Sequence, residues 1–175
     1  MPKSSQKQID ADEKKILHEL QENGKGSIDS IAKKCGFSRQ KVWRIIKRLE
    51  RNKTIWGYCA VVDHDKLHLN HYTALFKRSI KPLDEKMQKE ISAKKLEIYF
   101  PELNVRIDDV LYINGKYDWL LTFTAPGIKE MKIFCEKLMK KFGEYIIEYE
   151  ILETIVAVRK KGLKNPTADE QCKLL

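Results

Sequence analysis

The sequence contains few cysteines, and their spacing argues against two common classes of small protein. Only 4 of the 175 residues are cysteine, at Cys35, Cys59, Cys135 and Cys172, and no two of them form a Cys-x-x-Cys pair. This pattern supports neither a disulfide scaffold nor a zinc finger. We therefore expect reduced structural thiols, no metal and no cofactor.

Long apolar runs and catalytic motifs are also missing. No stretch approaches the roughly 18 apolar residues of a membrane span, and residues 1–8 are polar, without a signal-peptide core. There is no phosphate-binding loop and no Gly-x-Ser-x-Gly motif, so we expect no enzyme. Because 42% of the residues are hydrophobic, the chain can form a core. We predict a soluble cytoplasmic protein without a membrane partner.

The positive charge is concentrated in the first third of the chain. The formal net charge is +9. Residues 1–62 hold 14 Lys and Arg against 7 Asp and Glu, whereas residues 63–175 hold 20 against 18. This distribution indicates that the first third meets a polyanion and that the rest has another task. The alternative is a lysine-rich surface that is merely solvated.

Three short amphipathic helices are predicted in this basic third. The first begins near Ile9, with Asp10 and Asp12 placed to cap its N-terminus and apolar residues at helical spacing: Ile16, Leu17 and Leu20. The second begins after an N-cap at Ser27 and stops at Gly36. The third begins after Ser38 and runs to about Asn52. Two helices joined by so tight a turn form a helix-turn-helix.

The third helix divides into an apolar and a basic face. At 100° per residue, its buried stripe consists of Val42, Ile45, Ile46 and Leu49. In a helix-turn-helix, this helix enters the major groove of DNA. We therefore predict DNA contacts at Ser38, Arg39, Gln40, Lys41, Trp43, Arg44, Lys47, Arg48 and Arg51.

The role of each contact follows from its position along the helix. The first residues lie nearest the base edges, where Gln40 can pair with adenine and Arg39 with guanine, and Arg44 follows one turn deeper. Basic side chains near the C-terminus of the helix contact phosphates instead. Two alternatives stay open: the basic face is simply solvated, and Trp43 is partly buried against the first helix.

After the third helix the pattern becomes extended. Ile55, Gly57 and the apolar run at residues 60–62 predict a strand or hairpin edge that would form a wing. We therefore assign residues 1–62 to a winged helix-turn-helix domain and the polar residues 63–71 to a hinge.

The order of elements in residues 72–159 is predicted to be βαββαβ. Strands are expected around Tyr72, Ala74 and Phe76, at residues 105–113 and 117–124 about an Asn114-Gly115 turn, and at residues 145–158. One helix opens at Pro82-Leu83-Asp84, with Met87 and Ile91 inward. The other starts at Pro126-Gly127 and buries Ile128, Met131, Phe134, Cys135, Leu138 and Phe142.

This order is the ferredoxin-like arrangement, in which two helices cover one face of a four-stranded antiparallel sheet. The expected fold class is therefore α+β. Because both sides of the second hairpin strand carry apolar residues, the open face predicts a homodimer formed sheet to sheet, with higher homo-oligomers built from dimers. The tail at residues 160–175 shows no periodic pattern, and we expect it to be flexible or to pack across a subunit boundary.

These features resemble the Lrp/AsnC family of bacterial and archaeal transcription regulators. The similarity covers residues 8–158, and the matching stretches are Ile9-Asp10, Ile16-Leu17, Gly36-Phe37-Ser38, Val42, Ile46, Arg48-Leu49-Glu50, Ile55, Gly57-Tyr58 and Gly115-Lys116-Tyr117-Asp118. The resemblance implies binding of double-stranded DNA and a second domain that senses an amino acid or similar small-molecule effector where dimers meet. It places Gly115, Tyr117 and Asp118 in the effector loop. A plain hairpin turn, with Asp118 satisfying local amides, is the alternative.

Two other functions compete with regulation by a metabolite. Siroheme decarboxylases share this two-domain layout, but they use a histidine motif ahead of the central hairpin, and residues 104–116 contain no histidine. His64, His68 and His71 would share one face if the hinge were helical, which would permit a metal-responsive regulator.

Overall fold

The computed structural model describes residues 5–92 and 101–174 of the chain. They form two compact units, one made of Met1–Val61 together with Val158–Leu175 and the other of Val62–Ala157. Across the described residues, none of the helices combines the length and the apolar character that a membrane crossing requires.

Three helices open the first unit: α1 (Gln6–Glu22), α2 (Ile28–Cys35) and α3 (Arg39–Arg51). The predicted caps are confirmed, because Ser27 and Ser38 each accept a hydrogen bond from the backbone three residues on. Gly36 ends α2 with a φ of 69°, the left-handed conformation that glycine adopts at low cost.

The start of the first helix was predicted wrongly. Ser5 caps α1, and its side chain accepts a hydrogen bond from the backbone of Gln8. Asp10 and Asp12 therefore lie inside the helix rather than at its N-terminus, and Asp12 is buried. A helix surface buries an acid only when a partner compensates its charge.

The three helices share one apolar cluster. It contains Ile16 of α1, Ile31 and Ala32 of α2, and the stripe of α3 formed by Val42, Ile45, Ile46 and Leu49. The predicted buried stripe of α3 is therefore confirmed. This packing fixes which side of α3 faces outward.

The predicted wing strand is absent, because residues 53–62 contain no strand. Lys53 takes a φ of 60°, and the backbone N–H of Ile55 donates to the carbonyl of Leu49 at 3.0 Å. Ile55 also packs against the helical cluster. The start of this segment therefore bonds back to α3 instead of to a neighbouring strand.

The second unit has the predicted βαββαβ order: β1 (Asn70–Arg78), α4 (Glu85–Ser92), β2 (Arg106–Tyr112), β3 (Trp119–Ala125), α5 (Ile128–Phe142) and β4 (Ile146–Glu153). The strand order is β2-β3-β1-β4, and each neighbouring pair is antiparallel. The ferredoxin-like, α+β prediction is confirmed.

The core of this unit lies between the sheet and the helices. Tyr72, Ala74 and Phe76 of β1 meet Leu121 and Phe123 of β3 and the inner face of α5. Burial raises the pKa of the Cys135 thiol to about 11, as expected of a structural thiol.

The predicted inner face of α5 is wrong at one position. Ile128 is 58% exposed, whereas Met131, Phe134, Cys135, Leu138 and Phe142 are buried. A helical side chain leans toward the N-terminus, so Ile128, the first residue of α5, extends beyond the packed turns.

The hairpin between β2 and β3 is confirmed, but its turn is not the predicted one. Neither Asn114 nor Gly115 has positive φ, and a longer loop is closed by the Ile113 N–H, which donates to the Asp118 carbonyl at 2.9 Å. The Asp118 N–H donates to the Phe76 carbonyl, also at 2.9 Å. The neighbouring strand β1, rather than a two-residue turn, therefore sets the start of β3.

The last strand is shorter than predicted, because β4 ends at Glu153. The Thr154 N–H makes a final bond to the carbonyl of His71 at 2.9 Å, and β1 begins at Asn70. Beyond that point a longer strand would have no partner.

The tail is more regular than predicted. It contains a small hairpin, β5 (Arg159–Lys160) with β6 (Leu163–Lys164), and a short helix, α6 (Ala168–Gln171). Gly162, at a φ of 86°, marks the turn, and a glycine within a polar stretch is a turn signal that needs no periodic pattern around it.

Candidate nucleic-acid interface

Two ion pairs hold α3 against α1. The Lys41 ammonium lies 2.6 Å from the Asp12 carboxylate, and the Arg48 guanidinium lies 2.7 Å from Glu13. Asp12 is only 4% exposed. The hydrogen bond from Lys41, assisted by one from Gln8, holds the pKa of Asp12 below its usual value.

The same lysine also contacts the turn between α2 and α3. Its ammonium lies 3.9 Å from the centre of the Phe37 ring, a distance at which a cation is attracted to the aromatic face. Lys41 and Arg48 are thus directed toward neighbouring elements of the same unit. They fix the rotation of α3 about its axis.

The outward side of α3 carries the remaining long side chains. Gln40, Trp43, Arg44, Lys47 and Arg51 are all exposed, and their spacing of three or four residues puts them on one face. The Trp43 side chain is 53% exposed and lies outside the apolar cluster.

Charges on this face are only weakly neutralised within the unit. Lys47 lies 2.8 Å from Glu50, and Arg39 lies 3.2 Å from Asp29, with every partner partly or fully exposed. Exposed pairs of this kind contribute little and exchange readily. Within residues 5–92 and 101–174, Arg44 and Arg51 form no ion pair.

Glu50 connects α3 to the segment that follows it. Its carboxylate accepts from the Tyr58 hydroxyl at 3.1 Å, and the hydrogen bond from Lys47 is the main cause that lowers its pKa. Trp56, between these anchored residues, is 95% exposed. Neither aromatic was among the predicted DNA contacts.

The loop between β2 and β3 brings together the predicted effector residues. The Tyr117 hydroxyl donates to Glu150 at 2.7 Å, and this bond is the main cause that raises the pKa of Tyr117. The Asp118 carboxylate accepts from the backbone N–H of Arg78 at 2.8 Å. Asp118 therefore binds the backbone of the neighbouring strand β1. Open space surrounds Gly115, where an added Cβ would meet nothing within 4 Å.

The hinge histidines do not share a helical face. Only Asp65–Leu67 forms a single turn of 3-10 helix, and His68 follows it in the left-handed conformation. His71 lies with its Nδ1 2.8 Å from the hydroxyl of Thr154. No group of three or more His, Cys, Asp or Glu side chains suited to a metal ion occurs in the described part of the chain.

Comparison with known proteins agrees with this architecture. A family model described as winged helix-turn-helix DNA-binding matches residues 10–55. A leucine-responsive regulatory protein from Haemophilus influenzae is 42% identical over 172 residues, which cover 91% of this chain and 96% of that protein. A proline dehydrogenase transcriptional activator from Rhodobacter capsulatus is 33% identical over 131 residues, or 74% of this chain and 80% of that protein.

Solved structures show the same fold. A transcriptional regulator from Neisseria meningitidis, crystallised as a complex with L-Met, superposes with a TM-score of 0.65 at 15% identity, covering 91% of this chain and 97% of that one. The extent of the match to the leucine-responsive protein, the match to the winged helix-turn-helix model and the βαββαβ domain lead to one conclusion: this chain belongs to the Lrp/AsnC family of DNA-binding transcription regulators.

Proposed function

We propose that this regulator reads its operator with the outward face of α3, formed by Gln40, Trp43, Arg44, Lys47 and Arg51. The observation that carries the proposal is the division of α3 into a fully packed apolar stripe and an exposed basic side. A recognition helix needs a packed apolar stripe opposite its basic side chains, since the helix must be held rigidly while it enters the major groove.

Within this face, the position of each residue along α3 determines its proposed contact with DNA. Gln40 and Arg44 lie one turn apart near the helix N-terminus and read base edges, with Trp43 between them. Lys47 and Arg51 follow toward the C-terminus and bind phosphates. Ser38 caps the helix and, with Arg39, lies at the end where backbone N–H groups favour a phosphate. Lys41 and Arg48 act as positioning residues through Asp12 and Glu13.

The proposal includes a homodimer that uses the sheet face opposite the helices. By the strand register, Leu75, Leu111, Leu120 and Leu152 point to that face, and Leu111 and Leu152 are 47% and 46% exposed. Leucines exposed to this extent on one face of a sheet favour burial of that face against a second protein surface. A two-fold dimer presents two copies of α3 to successive major grooves about 34 Å apart, so the operator is roughly palindromic.

An amino acid is the proposed effector class. Support comes from the resemblance and from the L-Met complex of the Neisseria meningitidis regulator. In this chain the ligand would meet the loop that holds Gly115, Tyr117 and Asp118. It would alter DNA affinity only through different affinities for two assembly states.

We further propose that the protein acts in the cytoplasm and has no catalytic activity. The names of its relatives, which are transcription regulators, support this view. The siroheme-decarboxylase alternative has a simple test: after incubation with haem, the purified protein should show no Soret band. A stable band would revive the tetrapyrrole function.

The most informative test is selection of bound genomic fragments by the purified full chain, with and without a pool of amino acids. We expect a shared, roughly palindromic motif and a change in fragment occupancy when the effector is present. Recovery of random fragments in both conditions would contradict sequence-specific binding, and an identical set in both would contradict an amino-acid effector.

A further inference from the structure

A compact cluster of positive charge lies in the C-terminal hairpin. β5 and β6 pair antiparallel, and their turn residues, Lys161 and Gly162, have φ values of 47° and 86°. Two consecutive positive φ values give the turn that matches the twist of a two-residue hairpin. The hairpin, residues 159–164, carries four basic residues: Arg159, Lys160, Lys161 and Lys164.

The backbone of this hairpin is held by the residues after it. The Asn165 N–H donates to the carbonyl of Val158 at 3.0 Å, which continues the ladder by one bond. The Asn165 side chain accepts from the Thr167 N–H at 2.9 Å, and Ala168 is 2% exposed. The basic side chains therefore project from a hydrogen-bonded backbone. Three of them are exposed: Arg159, Lys161 and Lys164.

The hairpin belongs to the same compact unit as the helix-turn-helix, although about a hundred residues separate them in sequence. The Lys161 ammonium lies 3.5 Å from the Cys59 sulfur. Cys59 directly follows Tyr58, whose hydroxyl lies 3.1 Å from Glu50 of α3. These contacts connect the hairpin turn, through Cys59 and Tyr58, to Glu50 in the last turn of α3.

That location is where a recognition helix leaves the groove and a phosphate backbone lies closest. The exposed pair between Lys164 and Asp169, at 3.7 Å, neutralises little charge. We propose that the hairpin is a second DNA-binding element that contacts phosphates beside the groove occupied by α3. It would add affinity without sequence preference, since phosphate contacts carry no base information.

This inference rests on the proposed function of α3, and its test separates the two. The triple variant Arg159→Gln, Lys161→Gln and Lys164→Gln is made in the full chain. Its matched control is Lys129→Gln, Lys132→Gln and Lys140→Gln, which removes three exposed bases of α5 in the other unit. Thermal melting verifies that both variants remain folded.

Binding is measured with a selected operator fragment and with random duplex DNA of equal length, between about 50 and 200 mM salt. For the hairpin variant we expect the slope of log K against log salt to become less steep by about 2 to 3, and both affinities to fall about tenfold or more. The preference for the operator over random DNA should stay unchanged. The α5 control should match the parent.

A second variant keeps the charges and disturbs their presentation. Gly162→Val forces a branched side chain into a φ of 86°, which only glycine adopts readily, so we expect weaker binding to both DNAs. If the triple variant shows the same slope of log K against log salt as the α5 control, the hairpin is simply solvated and does not contact DNA. If Arg44→Ala abolishes the preference while the hairpin variant binds as the parent does, the proposed function stands and this inference falls.

Discussion

Replacing Asp12 by asparagine tests the contact that fixes α3 on α1. The carboxylate accepts from the Lys41 ammonium at 2.6 Å and from Gln8 at 2.9 Å. Asparagine keeps the shape and the Gln8 bond but loses the charge opposite Lys41. One charge-assisted hydrogen bond contributes about 1.5–3 kcal/mol, and the lower end applies because the Lys41 side chain is 33% exposed and regains water.

We therefore expect Asp12→Asn to lower the free energy of unfolding of the first unit by about 1.5–2 kcal/mol. For a domain of this size each kcal/mol shifts the Tm by about 4–8 °C, which differential scanning calorimetry resolves at pH 7. The control is Asp10→Asn, an exposed acid of the same helix, which should change stability by less than about 0.5 kcal/mol.

The same pair predicts a pH dependence with a defined sign. Because the folded-state pKa of Asp12 lies below the usual 3.8, its stabilisation is fully present above that pH and is lost as the pH falls through the folded-state value. The Tm difference between parent and Asp12→Asn should therefore be constant near neutrality and shrink on acidification. Equal Tm values at pH 7, or a difference that persists in strong acid, would refute the reasoning.

Two further substitutions probe the packed and exposed sides of α3. Leu49→Ala removes a side chain that is 1% exposed, and urea unfolding should show a loss of about 2–5 kcal/mol with an unchanged m value; a loss below about 1 kcal/mol would mean that the stripe is not tightly packed. Lys47→Ala should weaken operator and random DNA alike and reduce the salt slope by about 1 in anisotropy titrations, whereas an effect confined to the operator would assign Lys47 to base reading.

Local signals in the sequence were sufficient for most of the helical unit. Ser38 and Gly36 define the turn, and the apolar spacing of α3 gives its buried face directly. The pattern of a single helix cannot say what lies beside it, however. The ion pairs of Lys41 and Arg48 were therefore not predicted, because their acidic partners on α1 become neighbours only after the helices pack.

Errors in the strands have a similar origin in long-range pairing. The Asn114-Gly115 dipeptide favours a tight turn, but the bonds of Asp118 to β1 impose a longer loop. Residues 60–62 are apolar enough for a strand, yet Ile55 ahead of them is bonded to α3. The tail hairpin was not predicted, because its strands are two residues long and therefore too short to show a periodic pattern.

The most direct test of the account compares Arg44→Ala with Lys14→Ala, which removes one exposed base of α1 in the same unit. Affinities for the operator and for random DNA are measured at one salt concentration. We expect Arg44→Ala to lose about 1–3 kcal/mol of operator binding and to relax sequence preference, while Lys14→Ala leaves the preference intact. Parent-like discrimination by Arg44→Ala would contradict the assignment of the outward face of α3 as the reading surface.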